Sequence, residues 1–407
     1  MLKDSSSPPK RSSHITALDG IRGIAILAVM CFHFDFGNPH SFADTLWVRL
    51  MGIGWAGVDL FFVLSGFLIT GILLDAKGSP GYFQNFYMRR VLRIFPLYYG
   101  YLFLTIWIMP FLLGKSLPEW SILRAHQVWL WTYLTNVLLS GPTDWDMLAP
   151  GASLFWSLAI EEQFYLVWPA IVWLCRRKSL LRISVALIIA PPFLRWLWIL
   201  RTGDWHGAYV LTPMRMDTLA LGAVAAILFR DQRAWLARIA RPTLLASGAV
   251  FVLMLAVLGF WTPDQPVTAV LGYSIFALMC AALIAEVVCN KGPLRRLCEI
   301  KPLRFFGKYS YAMYVLHPFF RWVLIKRLDL GGRIPFWVGT QLPARVAILI
   351  LGCGLTSLAA LASWHLYEKH FLNLKAFFPY WQRVSPQELE RSTTLGVEPR
   401  VKEDLIS

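Results

Sequence analysis

Charged residues are scarce in this chain. They make up 15% of its 407 residues, whereas soluble domains carry about 25%. The stretches 94–113, 243–261 and 346–364 contain none at all. Hydrophobic residues reach 57%, which is more apolar surface than a soluble protein carries. The composition therefore excludes an ordinary soluble domain and predicts a multi-pass membrane protein.

Several motifs are also missing. The sequence has neither a P-loop nor a G-x-S-x-G motif, which argues against an ATP-driven pump and an α/β-hydrolase. Its six cysteines include no C-x-x-C pair and its histidines no H-x-x-x-H pair. No disulfide framework and no metal site is therefore predicted. No small-x-small cleavage site follows the first apolar stretch, so we expect no cleavable signal peptide.

The apolar runs predict an all-α, polytopic integral membrane protein. Each of them is long enough to cross the ~30 Å hydrocarbon core of a bilayer. Residues 126–140 are apolar but short, and we expect a re-entrant or interfacial helix there. About ten transmembrane helices are expected, near residues 15–35, 53–74, 94–113, 155–175, 181–200, 213–230, 243–261, 266–289, 309–327 and 344–367.

The net charge of +15 is distributed as membrane topology requires, which argues against nucleic-acid binding. With ten spans, the loop near 326–345 is the one basic segment that would lie outside. The blocks on the cytoplasmic side are 77–93, 176–182, 230–241 and 291–304. The expected regions are a cytoplasmic N-terminal tail at 1–14, a membrane domain at 15–371 and a polar cytoplasmic tail at 372–407.

The first apolar segment, ALDGIRGIAILAVMCFHF, contains Arg22 and His33. Ionisable residues are costly inside a membrane and usually mark a site. Eleven residues at ~100° per residue bring the two side chains to one helix face, about 16 Å apart along the axis. Asp59 in the second span lies at about the depth of His33. It either orients the imidazole and raises its basicity, or caps or pairs locally. Ser65 and Gly66 are interpreted as close-packing residues.

Two further groups of charges accompany the third and fourth spans. Arg89, Arg90 and Arg93 precede the third span. They are either a topology signal or a phosphate-binding surface, because arginine forks bind phosphate oxygens well. Glu161 and Glu162 lie together inside a span and point about 100° apart, so they cannot both face the same neighbour. Acid–base chemistry and neutralisation of arginines on other helices are both open.

The later spans hold two more candidate pairs. Arg215 and Asp217 open a span from the outside, and they form an ion pair or line an outer pocket. Tyr314 and His317 are three residues apart and share a helix face. They either bind a polar ligand or hold helices together.

Taken in order, these segments resemble the membrane-bound acyltransferase 3 family. The resemblance runs from Leu18 to about Glu368. Its motifs are LDGIRG with Arg22 ahead of His33, VDLFFVLSGF at 58–67, RRVLRIFP at 89–96, WSLAIEEQFY at 156–165 and SYAMYVLH at 310–317. Some members carry a fused extracytoplasmic SGNH hydrolase-like domain, which is not expected here.

The resemblance implies a membrane-bound O-acyltransferase of the bacterial cytoplasmic membrane. Such enzymes transfer an acyl group, often acetyl, from cytoplasmic acyl-CoA to a hydroxyl, usually of a cell-envelope or exported carbohydrate. It also implies that His33 is the essential histidine and Arg22 its partner.

The resulting hypothesis makes His33 the general base or the carrier of the acyl group, with Asp59 or Glu161 stabilising its protonated form. Acyl-CoA, preferably acetyl-CoA, is the expected donor and no metal is required. The residues expected to hold the donor are Arg22, Arg89, Arg90 and Arg93, and those expected to bind substrate are Glu162, Arg215, Asp217, Tyr314 and His317. The rival hypothesis is a polytopic transporter of a glycan or lipid-linked precursor, which would move its substrate unmodified.

Overall fold

The computed structural model describes residues 15–113, 118–141, 147–148, 150–259, 261–330 and 334–380. These residues are largely helical, and no β-sheet occurs among them. In chain order the helices are α1 (Thr16–His33), α2 (Phe42–Gly52), α3 (Gly57–Ala76), α4 (Tyr82–Phe103), α5 (Met109–Leu113), α6 (Pro118–Ala125), α7 (Gln127–Trp131), α8 (Thr135–Leu138), α9 (Trp156–Leu174), α10 (Arg177–Thr202), α11 (His206–Val210), α12 (Thr212–Asp231), α13 (Arg233–Leu258), α14 (Tyr273–Cys289), α15 (Pro293–Cys298), α16 (Lys301–Lys308), α17 (Ser310–Trp322), α18 (Leu342–Ser363) and α19 (Lys369–Asn373).

Eight helical stretches in the described part of the chain are long and apolar enough to cross a membrane. They coincide with eight of the ten predicted spans. The other two predicted spans are not among these stretches. The span predicted at 155–175 contains α9, which carries two glutamates, and the one predicted at 309–327 contains α17, which has only 13 residues. The chain is therefore an all-α, multi-pass membrane protein. The eight stretches are Thr16–His33, Phe42–Ala76, Tyr82–Leu112, Arg177–Thr202, His206–Asp231, Arg233–Leu258, Thr268–Cys289 and Leu342–Phe377.

Residues 126–140 do not form one long helix. They contain α7 and α8, which have five and four residues. Tyr133 lies between them with a φ of 54°, a left-handed conformation that interrupts a right-handed helix. Helices this short rise less than ~8 Å, so the segment does not span, as the sequence predicts.

The spanning helices differ in how much of their surface contacts other helices. In the stretch that ends with α3, 89% of the most apolar part is buried, against 17% for α10, 11% for α13 and 22% for the stretch that begins with α18. Large apolar side chains on these three helices are exposed, for example Leu200, Val257 and Ile350. Exposed apolar surface of this extent suits contact with lipid. Helix α3 therefore lies at the centre of the bundle.

Two glycines set the distance between α3 and α12. A Cβ atom at Gly66 would lie 2.0 Å from the carbonyl oxygen of Leu219, and one at Gly222 would lie 2.0 Å from that of Val63. Only glycine allows the two backbones to approach so closely. This confirms the packing role predicted for Gly66, and it places the polar residues of α3 beside those of α12.

Helix α1 is continuous, so Arg22 and His33 lie on one helix as the sequence predicts. Its early turns pack tightly against α16, where a Cβ atom at Gly23 would lie 2.0 Å from the carbonyl oxygen of Leu303. Its remaining surface contacts α3, α14 and α17. This packing buries nine of the 18 residues of α1.

Candidate active site

A cavity lies between α1, α3, α4, α9 and α17. It encloses about 1120 Å³ of space free of protein atoms, counting the space that is open to solvent. Its walls carry basic side chains near the beginning of α1 and hydroxyl groups of α9 and α17. These basic side chains favour a ligand with an anionic part.

Basic residues dominate one part of the cavity wall. We call them the cation cluster: Arg22, Arg89, Arg90, Arg93 and Lys375. Glu161 is the carboxylate that lines the same cavity. Five cations and one carboxyl leave the cavity with an excess of positive charge, which favours an anionic ligand.

The members of the cation cluster differ in their partners. Arg22 Nη1 lies 3.2 Å from Asp19 Oδ1, one helical turn away. Arg90, Arg93 and Lys375 make no ion pair among the described residues, and the Nε of Arg90 is buried without a hydrogen-bond partner. These three basic side chains line the cavity without a protein counterion, so they are available to bind an anion. The predicted donor-binding residues Arg22, Arg90 and Arg93 therefore converge.

The middle of the cavity is polar. Glu161 lines it, and the hydroxyls of Ser65 on α3 and Tyr165 on α9 are hydrogen-bonded to each other there. Glu162 is not among the residues that line this cavity. The two glutamates therefore separate, as their angular offset on α9 predicts, and Glu161 is the one that can contact a ligand.

Hydroxyl and imidazole groups continue from the cavity toward the far end of α1. Tyr314 and Ser157 line the cavity and share a hydrogen bond between their hydroxyls. The ring of His317 lies with its centroid 5.6 Å from that of Tyr314 and 5.0 Å from that of His33. His33 and His317 are not among the residues that line the cavity. These ring contacts connect them to it through Tyr314.

Backbone carbonyls fix the tautomer of both imidazoles. His33 Nδ1 lies 2.8 Å from the carbonyl oxygen of Val29, and His317 Nδ1 lies 2.8 Å from that of Tyr314. A carbonyl oxygen only accepts, so each Nδ1 donates a proton and each Nε2 keeps its lone pair in the neutral ring. His317 Nε2 is buried without a hydrogen-bond partner. Both rings therefore offer Nε2 as a proton acceptor.

A second group of charged residues contains three predicted site residues and one further arginine. We call it the ion-pair cluster: Asp59, Arg215, Asp217 and Arg195. Arg215 donates to Asp59, and Arg195 Nη1 lies 3.0 Å from Asp217 Oδ2. All four are fully buried. The guanidinium of Arg215 also lies 4.3 Å from the ring centroid of Tyr273.

These contacts correct two expectations. Asp59 was expected beside His33, but its hydrogen-bonding partner is Arg215. Arg215 and Asp217 were considered as a pair or as an outer pocket, but each pairs with a residue of another helix and neither is exposed. The reason is the close approach of α3 and α12 at Gly66. It places Asp59 beside Arg215, although the two residues are 156 positions apart in the sequence.

Four polar residues that line the cavity were missed by sequence reasoning. Ser157 and Tyr165 flank Glu161 at a spacing of four residues, which places all three on one face of α9. That spacing could have found them. Lys375 and Tyr380 gave no such signal, because they lie in the segment 372–407 that was expected to be a polar tail.

Residues 15–377 match the family described as "Acyltransferase domain". The chain is 28% identical to the putative peptidoglycan O-acetyltransferase YrhL of Bacillus subtilis, over 94% of this chain and 59% of that protein. It is 28% identical to the peptidoglycan O-acetyltransferase OatA of Listeria monocytogenes, over 75% of this chain and 49% of that protein. A putative O-acetyltransferase of Staphylococcus aureus is 26% identical over 81% and 54%. The chain thus spans about half the length of the curated relatives it matches. No solved structure matches it.

Proposed function

The chain belongs to the acyltransferase domain family, and we propose that it is a membrane-bound O-acyltransferase. It transfers an acyl group, preferably acetyl, from acyl-CoA to a hydroxyl of a cell-envelope carbohydrate. The observation that carries this proposal is the cavity, which leads from the cation cluster to Tyr314 and so to the His317–His33 ring pair. Two of the relatives are named as peptidoglycan O-acetyltransferases, the one from Bacillus subtilis as putative, which supports the carbohydrate acceptor.

The donor fits the charge of the cavity. Coenzyme A carries phosphate groups at one end and a thioester at the other, and the cation cluster offers Arg90, Arg93 and Lys375 without protein counterions. Arginine and lysine are the usual ligands of phosphate. Phosphates held there leave the thioester free to extend past Glu161 toward Tyr314.

His33 is the proposed general base. Its Nδ1–H is held by the carbonyl of Val29, so Nε2 accepts the proton of the acceptor hydroxyl while that oxygen attacks the thioester carbonyl carbon. The carbon–sulfur bond breaks, and the leaving thiolate takes the proton back from the imidazolium. General-base catalysis of this kind contributes roughly 10²–10⁴-fold to the rate. Of the two carboxyl groups considered for stabilising protonated His33, we assign this role to Glu161, because Asp59 pairs with Arg215.

An acyl-histidine intermediate is the competing chemistry. In that route His33 Nε2 attacks the thioester carbonyl carbon, and the carbon–sulfur bond breaks to release the thiolate. The acceptor hydroxyl then attacks the acyl-imidazolium carbon, the carbon–nitrogen bond breaks to release neutral His33, and the hydroxyl proton passes to the thiolate through solvent. Single-turnover experiments without acceptor distinguish the two routes. Release of one equivalent of free thiol per enzyme is expected only for the covalent route.

We further propose that the protein lies in the cytoplasmic membrane of a bacterium with both termini inside. This orientation puts the cation cluster near the cytoplasmic supply of acyl-CoA and the His33 end of α1 toward the outside. When α9 and α17 are counted as spans, which makes ten, the basic blocks at 176–182, 230–241 and 291–304 face the cytoplasm, in accord with the positive-inside rule.

The test is acyl transfer by inside-out vesicles supplied with radiolabelled acetyl-CoA. The wild-type chain is expected to place label on envelope glycan, and His33→Ala is expected to lose it by roughly 10²-fold or more. His365→Ala is the matched control, because His365 is exposed and lies outside the cavity lining. Insertion and thermal stability are measured for each variant.

Two outcomes would overturn the proposal. Undiminished transfer by a folded His33→Ala variant would remove His33 from the reaction. Movement of unlabelled glycan across the membrane by a wild-type protein that leaves acetyl-CoA intact would show the transporter of the rival hypothesis.

A further inference from the structure

The segment that follows α19 folds back onto α4 instead of leaving the protein. Arg89 Nη1 donates to the carbonyl oxygens of Lys375 and Phe378, both at 3.2 Å, and Asn85 Nδ2 donates to that of Pro379 at 2.6 Å. We call residues 374–380 the C-terminal strap. Three hydrogen bonds from one helix fix its backbone at the mouth of the cavity.

Two side chains of the C-terminal strap belong to the cavity wall. Lys375 and Tyr380 both line it. Tyr380 is 5% exposed, and the guanidinium of Arg89 lies 4.6 Å from its ring centroid. A terminal segment that merely trailed from the membrane would not bury an aromatic ring. The strap is therefore part of the site.

The ammonium group of Lys375 has no ion pair among the described residues, although it shares the cavity with Arg22, Arg90 and Arg93. Like charges in one cavity repel each other, and burial adds to that cost. Such an arrangement persists when a polyanion compensates it on binding. Phosphate groups, with several charges in a small volume, suit it better than a neutral sugar.

We propose that the C-terminal strap completes the phosphate-binding end of the donor site. Lys375 contacts the phosphates directly together with Arg90 and Arg93, while Arg89 is a positioning residue that holds the strap. The inference rests on the proposed function only for the identity of the donor, acyl-CoA. The existence of an anion site does not depend on it. It changes the role predicted for Arg89, whose Nη1 is occupied by strap carbonyls.

The test compares two probes on the full chain in lipid nanodiscs. Acetyl-CoA carries the phosphates, and S-acetyl-pantetheine carries the same thioester without them. Lys375→Gln is expected to raise the Kd for acetyl-CoA about tenfold, as loss of a charge-assisted contact does. Its Kd for S-acetyl-pantetheine is expected to stay within twofold of the wild-type value. Lys375→Arg keeps the charge and is expected to recover most of the affinity.

Arg89→Gln tests the positioning role. It is expected to raise the Kd for acetyl-CoA, and the double variant with Lys375→Gln is expected to bind no worse than Lys375→Gln alone, because Arg89 acts through the strap. Additive losses would show that Arg89 contacts the phosphates itself and would overturn that part. Lys369→Gln on α19 is the matched control, since Lys369 lies outside the cavity lining.

Failure of the strap proposal and failure of the proposed function give different results. If wild type binds acetyl-CoA and folded Lys375→Gln binds it equally well, the strap proposal is wrong and the proposed function stands. If wild type does not bind acetyl-CoA, inorganic pyrophosphate is used as the probe. Weaker pyrophosphate binding by Lys375→Gln would then support the anion site and reject acyl-CoA as donor, and equal or absent binding would reject both.

Discussion

The bundle contains two groups of charged side chains, and they differ in burial and in how their charges are compensated. In the ion-pair cluster each cation faces a carboxylate from another helix: Arg215 with Asp59, and Arg195 with Asp217. In the cation cluster Arg90, Arg93 and Lys375 have no such partner among the described residues. The side chains of the ion-pair cluster are fully buried, whereas those of the cation cluster line a cavity.

The difference separates structural from functional charges in a membrane protein. A paired, fully buried charge has its counterion within the protein, although Asp59 Oδ2 and Arg215 Nη1 make no hydrogen bond among the described residues. Removing one member of such a pair is penalised. A charge that stays unpaired beside a cavity is satisfied only when a ligand arrives. Ionisable residues in membrane spans are functional candidates by default, but here their partners decide which of them bind a ligand.

The largest expected effect comes from breaking the ion-pair cluster. Arg215→Met leaves Asp59 buried without its cation, which should lower the free energy of unfolding by ~3–5 kcal/mol. Reversible unfolding in mixed micelles measures it. Adding Asp59→Asn removes the uncompensated charge and should recover most of the loss. Arg177→Met is the control, because Arg177 forms an exposed ion pair. The side chains of Arg177 and its partner Asp231 are 45% and 34% exposed. This substitution should lower the free energy of unfolding by less than ~1 kcal/mol. Equal stabilities of Arg215→Met and wild type would contradict the structural role.

A smaller effect is expected from the cation cluster. Arg93→Gln removes an unpaired cation, so stability should hold or rise slightly, while the Kd for acetyl-CoA should increase about tenfold. Isothermal titration in nanodiscs measures this affinity, with Arg177→Gln as the charge-matched control. Raising the ionic strength should weaken binding by the wild type more than by Arg93→Gln, because salt screens the contact that the variant lacks. A folded variant with unchanged affinity would leave Arg93 as a topology signal.

The smallest effect is expected at Ser65, which lies in the cavity but hydrogen-bonds to Tyr165. Ser65→Ala should lower stability by about 1 kcal/mol, the worth of an ordinary hydrogen bond, and leave acyl transfer within a few-fold of wild type. Radiolabel transfer in vesicles measures the second quantity. Loss of transfer comparable with that of His33→Ala would instead make Ser65 a nucleophile and break the distinction between packing and chemistry on α3.

Local features were predictable from the sequence because helix geometry fixes them. The residues Arg22 and His33 share one continuous helix, and Glu161 and Glu162 separate on α9 as ~100° per residue requires. The packing role of Gly66 also followed from its residue type in an apolar span. The short segment 126–140 was recognised by length alone.

Partners were not predictable in the same way. Asp59 and Arg215 lie 156 positions apart, and Arg89 and the carbonyl of Lys375 lie 286 apart. Nothing in the local pattern of either residue specifies such contacts, because they depend on which helices pack together and at what height. Of the two alternatives left open for Asp59, pairing with His33 is not what the structure shows, because its hydrogen-bonding partner is Arg215.

The sequence by itself determined that the chain is an all-α, multi-pass membrane protein and that it resembles an acyltransferase family, because span length and motif order are properties of the linear chain. Tertiary structure alone decided which buried charges neutralise each other and which line the cavity. The physical reason is that hydropathy and helical period act within one helix, whereas pairing across the bundle depends on close backbone approach, as at Gly66 and Leu219.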